Sequence, residues 1–403
     1  MSELQKYSLL STHIDIKGKA YEELVGANLR GDRGEFFTPR NVMHMTVEIL
    51  DPRDDERVLD PACGTGGFLV IAMNKVHARL EAQLMNELGR LKTEWRDEEK
   101  RVFQERVREI AESNFFGFDL NPDLVKATKM NMVMNNDGSG NIFQTNSLLP
   151  PHEWDADFRR DLAKALGIKE SSIRNASSIG FFDVIVTNPP FGSKIPIKDP
   201  HILGQYDLAH IWRKDKNDRT RWTKTNKLQN SVPPEQLFVE RCIQLLKPGG
   251  RLGIVLPDSI LGSPGLGYIR HWLIRNTQTI ASIDLHLDTF QPRNGTQTSV
   301  LILRKKTLEQ IHEEERTGRM ADYPIFMAVV DRIGHDKRGN PIFKRDKHGN
   351  EILVPETEII SIGEIANGSK TAKVESKRKV IDDQTPLVVK AFKKWWEQEG
   401  LSW

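Results

Sequence analysis

The stretch Asn188-Pro189-Pro190-Phe191 closes the apolar run Phe181-Phe182-Asp183-Val184-Ile185-Val186-Thr187. Two consecutive prolines fix φ and remove two N–H donors. The residue before a proline is held extended, which limits how Asn188 can point. The corner therefore presents an amide, a carbonyl that no helix ladder can take, and an aromatic ring. Such a set suits a planar, amino-bearing group held between hydrogen-bond acceptors and a ring face. The same four residues also describe a strand-ending turn with a buried phenylalanine, and by themselves they do not choose.

A second chemical stretch lies upstream. Arg57-Val58-Leu59-Asp60 runs into Pro61-Ala62-Cys63-Gly64-Thr65-Gly66-Gly67-Phe68. Gly64, Gly66 and Gly67 allow positive φ and close approach of backbone to a ligand. Strand, acid, Gly-x-Gly and helix in that order build a crevice at a strand's carboxyl end. No Gly-Lys-Ser/Thr ending follows, so this is not a phosphate loop. An acid at that position repels pyrophosphate and attracts a cation, such as the amino and sulfonium groups of S-adenosylmethionine. Asp119 ends a further strand, Phe115-Phe116-Gly117-Phe118-Asp119-Leu120, where a ribose diol is usually gripped. Thr38-Pro39 reads as an N-cap and first-turn pair. The helix it opens would offer N–H groups to an anion or carboxylate, or would simply be a capped helix.

The elements that must position these residues alternate. Residues 18–30 read as an amphipathic helix through Ala20, Leu24, Val25 and Leu29, followed by a helix with Val42, Met45, Thr46, Ile49 and Leu50. Residues 74–112 read as one or two long surface helices. Residues 123–135 form a Met-rich helix whose methionines read as packing. Residues 141–148 hold a short third strand with Asn146 at its tip. The fourth strand delivers the Asn-Pro-Pro-Phe corner. A long polar loop spans 192–230, a length typical of lids and binding segments. A helix over 234–246, a strand over 251–256, a helix over 267–276 and strands over 280–287 and 298–303 follow. This alternation predicts a parallel α/β sheet with a late antiparallel hairpin at one edge. Beyond 306, a strand over 325–330, two charged Gly-Asn turns (Gly339-Asn340 and Gly349-Asn350) and a helix over 385–399 complete the chain. Its Trp395 and Trp396 would dock on a partner or, the favoured reading, on the domain itself.

Composition narrows the class. The 403 residues carry 58 Lys and Arg against 56 Asp and Glu, a net charge of +2, which is no histone-like polycation. The charge is unevenly placed. Arg213, Lys214, Lys216, Arg219, Arg221, Lys224 and Lys227 surround Trp212 and Trp222. Such segments either track a phosphate backbone or are solvated loops. Residues 332–347 and 370–379 are also basic. Two cysteines, Cys63 and Cys242, exclude a disulfide scaffold, fit a reducing, cytoplasmic setting, and with the histidines give no zinc spacing. No apolar run reaches the ~20 residues that span a bilayer, and the first residues lack a signal-peptide layout.

Four stretches in this order, Gly34-Glu35-Phe36-Phe37-Thr38-Pro39-Arg40, Asp60 to Phe68, Gly117-Phe118-Asp119 and Asn188-Pro189-Pro190-Phe191, resemble the N6-adenine DNA methyltransferases. The likeness is closest to the modification subunits of type I restriction–modification systems and runs over residues 18–335. It implies a Rossmann-like S-adenosylmethionine-dependent methyltransferase fold, with a mostly parallel seven-stranded sheet and a late antiparallel edge strand. The domains expected are 1–50 (helical, with the Phe-Phe-Thr-Pro motif), 51–306 (catalytic) and 307–403 (extension for partner or DNA contacts). The resemblance implies that Phe37, Thr38 and Pro39 face the methionine carboxylate of S-adenosylmethionine. Asp60, Ala62, Gly64, Thr65, Gly66 and Gly67 would line its methionine side, and Asp119 and Leu120 its ribose. Asn146 and Ser147 would lie near its adenine, with Asn146 standing where related enzymes commonly have Asp. The catalytic set would be Asn188, Pro189, Pro190 and Phe191, holding a flipped adenine for transfer to its exocyclic amine. No metal is implied. Double-stranded DNA is the expected substrate, with a specificity subunit and a restriction subunit as partners. Type I modification subunits generally carry a long helical domain before this motif, whereas about 30 residues precede it here. Weak activity without a specificity subunit is therefore expected. The alternatives are a guanine-N2 RNA methyltransferase and a non-catalytic DNA-binding scaffold of the same fold.

Overall fold

A computed structural model describes residues 38–403 apart from 136–138, 193–194, 219–220, 293 and 366–367. The expected helix at 18–30 and Phe37 lie outside the described residues.

Helix α1 (Arg40–Leu50) leads to β1 (Val58–Asp60), a three-residue strand buried throughout. Next come α2 (Gly67–Leu88), α3 (Asp97–Asn114), β2 (Phe115–Asp119), α4 (Pro122–Met134) and β3 (Ile142–Gln144). Helix α5 (Ala156–Leu166) precedes β4 (Phe182–Thr187). Strand β1 pairs in parallel with β2 on one side and β4 on the other, and β3 lies parallel beyond β2. Their runs are apolar almost without interruption, as parallel strands covered on both faces must be. The long loop expected after β4 contains a hairpin, β5 (His210–Lys214) and β6 (Trp222–Leu228). Helix α6 (Pro234–Leu245) then feeds β7 (Leu246–Pro257), parallel to β4.

After α7 (Gly267–Asn276), strand β8 (Thr277–Asp284) pairs antiparallel with β9 (Thr298–Lys305), which in turn pairs antiparallel with β7. The seven strands expected are thus present in the order β3-β2-β1-β4-β7-β9-β8, and β10 (Phe326–Val329) adds an eighth, parallel to β8. The late antiparallel strand expected toward one edge is β9, at the β8–β9 end of the sheet. Strand β8 takes its outer side, and β10 then covers the row of backbone groups that β8 would have left open. Helix α8 (Leu308–Thr317) buries no side chain. A long two-stranded ribbon, β11 (Leu353–Ile365) with β12 (Gly368–Lys379), and α9 (Thr385–Gln398) complete the fold.

Strand residues alternate between two apolar cores, as a period of two requires. Val184 and Val186 join Val42, Leu69 and Phe392 on one face, while Ile185 joins Phe158, Val239 and Ile269 on the other. The described part of the expected 1–50 segment and the helix of the 307–403 extension therefore share one core with the central sheet. Helix α1 packs so closely on β7 that a Cβ at Gly253 would stand 2.6 Å from Thr46 Cγ2. Buried Arg251 donates to the Leu50 and Asp51 carbonyls at the end of α1, and it also pairs with Glu56. Trp395 and Trp396 dock internally as expected, against Phe326 and Phe392, and Trp403 stacks on Trp396 at 4.5 Å. The Gly-Asn pairs close matching turns, with Gly339 and Gly349 at φ +83° and +84°. No helix among the described residues is long and apolar enough to cross a membrane.

Candidate active site

The strand order 3-2-1-4 reverses direction between β1 and β4. At such a point the connections leave to opposite sides, and a crevice opens beyond the carboxyl ends of the strands. Three of the chemical residues meet at that edge. Asp60 is the last residue of β1, Asp119 the last of β2, and Asn188 the first beyond β4.

The glycine turn is built as expected. Gly64 and Gly66 adopt φ +55° and +80°, and Gly66 precedes the first residue of α2, Gly67. The Gly64 N–H donates to Asp119 Oδ2 at 2.9 Å, and the Asn121 N–H donates to Asp119 Oδ1 at 2.8 Å. Two carboxylate oxygens oriented in this way suit a diol. Asp60 is fully buried, and its Oδ1 accepts the Ala62 N–H at 3.1 Å. Burial pushes the Asp60 carboxyl up to about 7, the Ala62 N–H opposing the rise and the charge of Asp119 adding to it. A ligand cation beside it would restore the charged form. Leu120, next along, is exposed and offers an apolar surface. Ser147 Oγ donates to the Pro61 carbonyl at 2.6 Å, tying the segment after β3 to the turn. Asn146 Oδ1 accepts the Leu148 N–H at 3.0 Å in a local turn.

Two residues that the sequence reading passed over hold this turn from outside. On α4, Thr128 Oγ1 donates to the Gly64 carbonyl at 2.6 Å and Asn131 Nδ2 donates to the Thr65 carbonyl at 2.9 Å. Their spacing, three apart and so on one helix face, is the only sequence signal, and it is a weak one. A Cβ at Gly66 would stand 2.7 Å from Thr128 Cγ2, which shows how closely α4 presses.

The Asn-Pro-Pro-Phe corner is joined to α1 rather than to its own neighbours. Asn188 Nδ2 donates to Thr38 Oγ1 at 3.0 Å across 150 residues of chain. This corrects the reading of Thr38 as an N-cap. Pro39 immediately precedes the first helical residue, Arg40, and no side chain caps α1. The Thr38 hydroxyl is directed to Asn188 instead, while the Met43 and Val42 N–H groups are taken by the Pro39 carbonyl and Asn41 Oδ1. The Asn188 amide thus donates through Nδ2, and its oxygen is an acceptor group. Pro189 is buried and Pro190 half-buried. The half-buried ring of Phe191 meets buried Phe290 edge-on, with centroids 6.4 Å apart. The Gly192 N–H donates to Glu235 Oε2 at 3.0 Å, and burial holds the Glu235 carboxyl above its ordinary value. Phe290 and Glu235 were not picked out from sequence.

Trp212 and Trp222 have a structural place. Both rings pack on Tyr268 of α7, with centroids 6.1 Å apart, and an added Cβ at Gly267 would meet Trp222 at 3.0 Å. They root the hairpin in the second core and are not a stacking platform for bases.

Comparison with known proteins gives the family. The profile described as N-6 DNA Methylase matches residues 12–323. The chain belongs to the N-6 DNA methylase family. Family relatives include the type II restriction enzyme and methyltransferase RM.BcgI of Heyndrickxia coagulans, 25% identical over 94% of this chain and 44% of that protein. Another is the type I restriction enzyme EcoEI methylase subunit of Escherichia coli, 26% identical over 72% of this chain and 46% of that subunit. The chain thus spans about half the length of the curated relatives it matches. Among solved structures, the ATP-dependent type ISP restriction-modification enzyme LlaBIII bound to DNA shares the fold. It has 14% identity, a TM-score of 0.52, and coverage of 88% of this chain and 25% of that one. The Rossmann-like methyltransferase fold expected for the family is the one observed.

Proposed function

We propose that this chain methylates the N6 amine of adenine in double-stranded DNA, using S-adenosylmethionine, as the methyltransferase subunit of a type I restriction–modification system. The observation that carries the reading is the Asn188–Thr38 hydrogen bond at 3.0 Å. It joins the Asn-Pro-Pro-Phe corner to the Thr38-Pro39 element beside a crevice whose other wall is the Asp60–Gly67 turn.

The residues present fit the cofactor. A buried acid raised to about 7 awaits a cation, a carboxylate oriented by two N–H groups suits a ribose diol, and Leu120 offers apolar surface. Asn146 would pair with the cofactor's adenine through its amide, whose oxygen also accepts the Leu148 N–H. Phe37 and Pro39 would flank the methionine end, with Ala62, Thr65, Gly67 and Ser147 shaping the cradle. S-adenosylmethionine supplies an already activated methyl group.

The chain's part is then positioning, in a reaction where placement supplies much of the barrier reduction. The lone pair of an exocyclic adenine amine is delocalised into the ring. Asn188 Oδ1 and the Pro189 carbonyl would accept its two hydrogens, favour the pyramidal form and aim the lone pair at the methyl. Pro190 locks the corner. Phe191, braced by Phe290, would hold the extruded base, since a base within the duplex cannot reach this depth. No strong general base is needed, because the proton can leave after attack. A specificity subunit would supply the target sequence and strengthen weak activity, and a restriction subunit would complete the assembly.

The test is transfer of labelled methyl to adenine in duplex DNA by the chain with its specificity subunit. Asn188→Ala is expected to lose at least about a hundredfold in rate, in line with removal of a preorganised polar contact, while S-adenosylmethionine binding persists. Transfer to RNA and not to DNA would sink the reading.

A further inference from the structure

Resting on the DNA reading above, we propose that the β5–β6 hairpin clamps the phosphate backbone of the DNA duplex without reading its bases. Residues 210–228 carry seven cations and two acids, so the rest of this +2 chain is net negative. The ribbon is thus one of the chain's basic clusters, alongside residues 332–347 and 370–379.

The hairpin is held at its root and open toward its tip. Trp212, Trp222 and Tyr268 anchor it to α7, and Trp212 Nε1 donates to the Asp207 carbonyl at 2.9 Å. Gln229 Nε2 reaches the Leu208 carbonyl, the His210 carbonyl and Tyr268 Oη at 3.0, 3.1 and 3.3 Å. Just before the hairpin, Gln205 and Tyr206 both donate to the Leu148 carbonyl, beyond the end of β3. Tyr268 lies on α7, in the connection that leaves β7 at its carboxyl end. The ribbon is thus tied at both sides to segments that lie past the carboxyl ends of the parallel strands. In the chain it lies between the Asn188–Gly192 corner and α6.

Arg213, Lys214, Lys216, Arg221, Lys224 and Lys227 are exposed along this ribbon. Lys224 pairs with Asp207, and Lys214 lies over the Trp222 ring at 5.6 Å. Asp215 accepts the Asn217 and Asp218 N–H groups, so that acid is used to fold the tip. With both tryptophans consumed in packing, no exposed aromatic face remains on the described hairpin to stack with bases. What is left is cationic side chains, whose binding of DNA is sequence-independent and releases counterions.

The experiment measures binding of the full chain to a 30-base-pair duplex as a function of KCl, comparing wild type with Arg213→Gln/Lys216→Gln/Lys227→Gln. Each phosphate contact contributes about 0.9 to the slope of log K against log salt, so the triple variant is expected to lower the slope by about 2.7. The loss of affinity should be the same for unrelated duplex sequences, S-adenosylmethionine affinity should be unchanged, and Arg213→Lys should keep the wild-type slope. An unchanged slope in the triple variant, an effect confined to one duplex sequence, or a slope that changes on RNA and not on duplex overturns the proposal. If the slope falls as expected while wild type transfers no methyl to adenine, the clamp stands and the catalytic reading fails.

Discussion

The two turns that meet at the β1–β4 switch point are built in opposite ways. The turn at 60–67 is fixed by its own backbone, with Gly64 and Gly66 at positive φ and the Gly66 N–H on the Cys63 carbonyl, and by the adjacent β2–α4 unit. The corner at 188–192 has two prolines for stiffness, but its placement comes from afar: Thr38, Glu235 and Phe290. The first turn is a cradle set by local geometry. The second is set by tertiary contacts, so it can be loosened without touching the first.

Substitutions can break or sharpen that contrast. The largest effect is expected for Gly66→Ala. The added methyl meets Thr128 Cγ2 at 2.7 Å at φ +80°, and overpacking and left-handed strain together should cost about 3 kcal/mol of stability. Thermal denaturation should show this, and calorimetry should show S-adenosylmethionine affinity falling with it. Wild-type melting would mean that α4 yields and the cradle is not rigid.

Next is the titration of Asp60. Its folded value of about 7 lies above the ordinary carboxyl value of 3.8. The ligand-free protein should therefore lose stability as pH rises between those values. Cofactor affinity should move the other way, rising about tenfold between pH 6 and 8 as the carboxylate forms. Asp60→Asn should flatten both profiles. A flat wild-type profile would remove Asp60 from the cation's site.

Thr38→Val tests the second turn. Loss of one neutral hydrogen bond is worth about 1 kcal/mol, so methyl transfer should slow by about five- to tenfold with melting little changed, and Thr38→Ser should restore it. If cofactor affinity falls and the rate does not, Thr38 belongs to the first turn. The smallest effect is expected for Gly64→Ala, where no atom lies within 4 Å of the added Cβ and φ is +55°. Strain alone should cost about 1 kcal/mol, read as a small shift in melting.

Much of this was legible in the chain itself. Continuous apolar runs ending in Asp60, Asp119 and Asn188 signal parallel strands with polar tips, and Gly64 and Gly66 signal a turn that side chains would strain. These features are local, because strand burial, φ preference and proline stiffness act within a few residues. The tertiary structure decided what depends on distant partners. It turned the Thr38 hydroxyl from a helix cap to Asn188, brought Thr128 and Asn131 under the glycine turn, and spent Trp212 and Trp222 on Tyr268. It also placed β9 inside the sheet and β10 outside β8. A hydroxyl, an amide or an indole can satisfy itself against many partners, and only the packed sheet fixes which one is within reach.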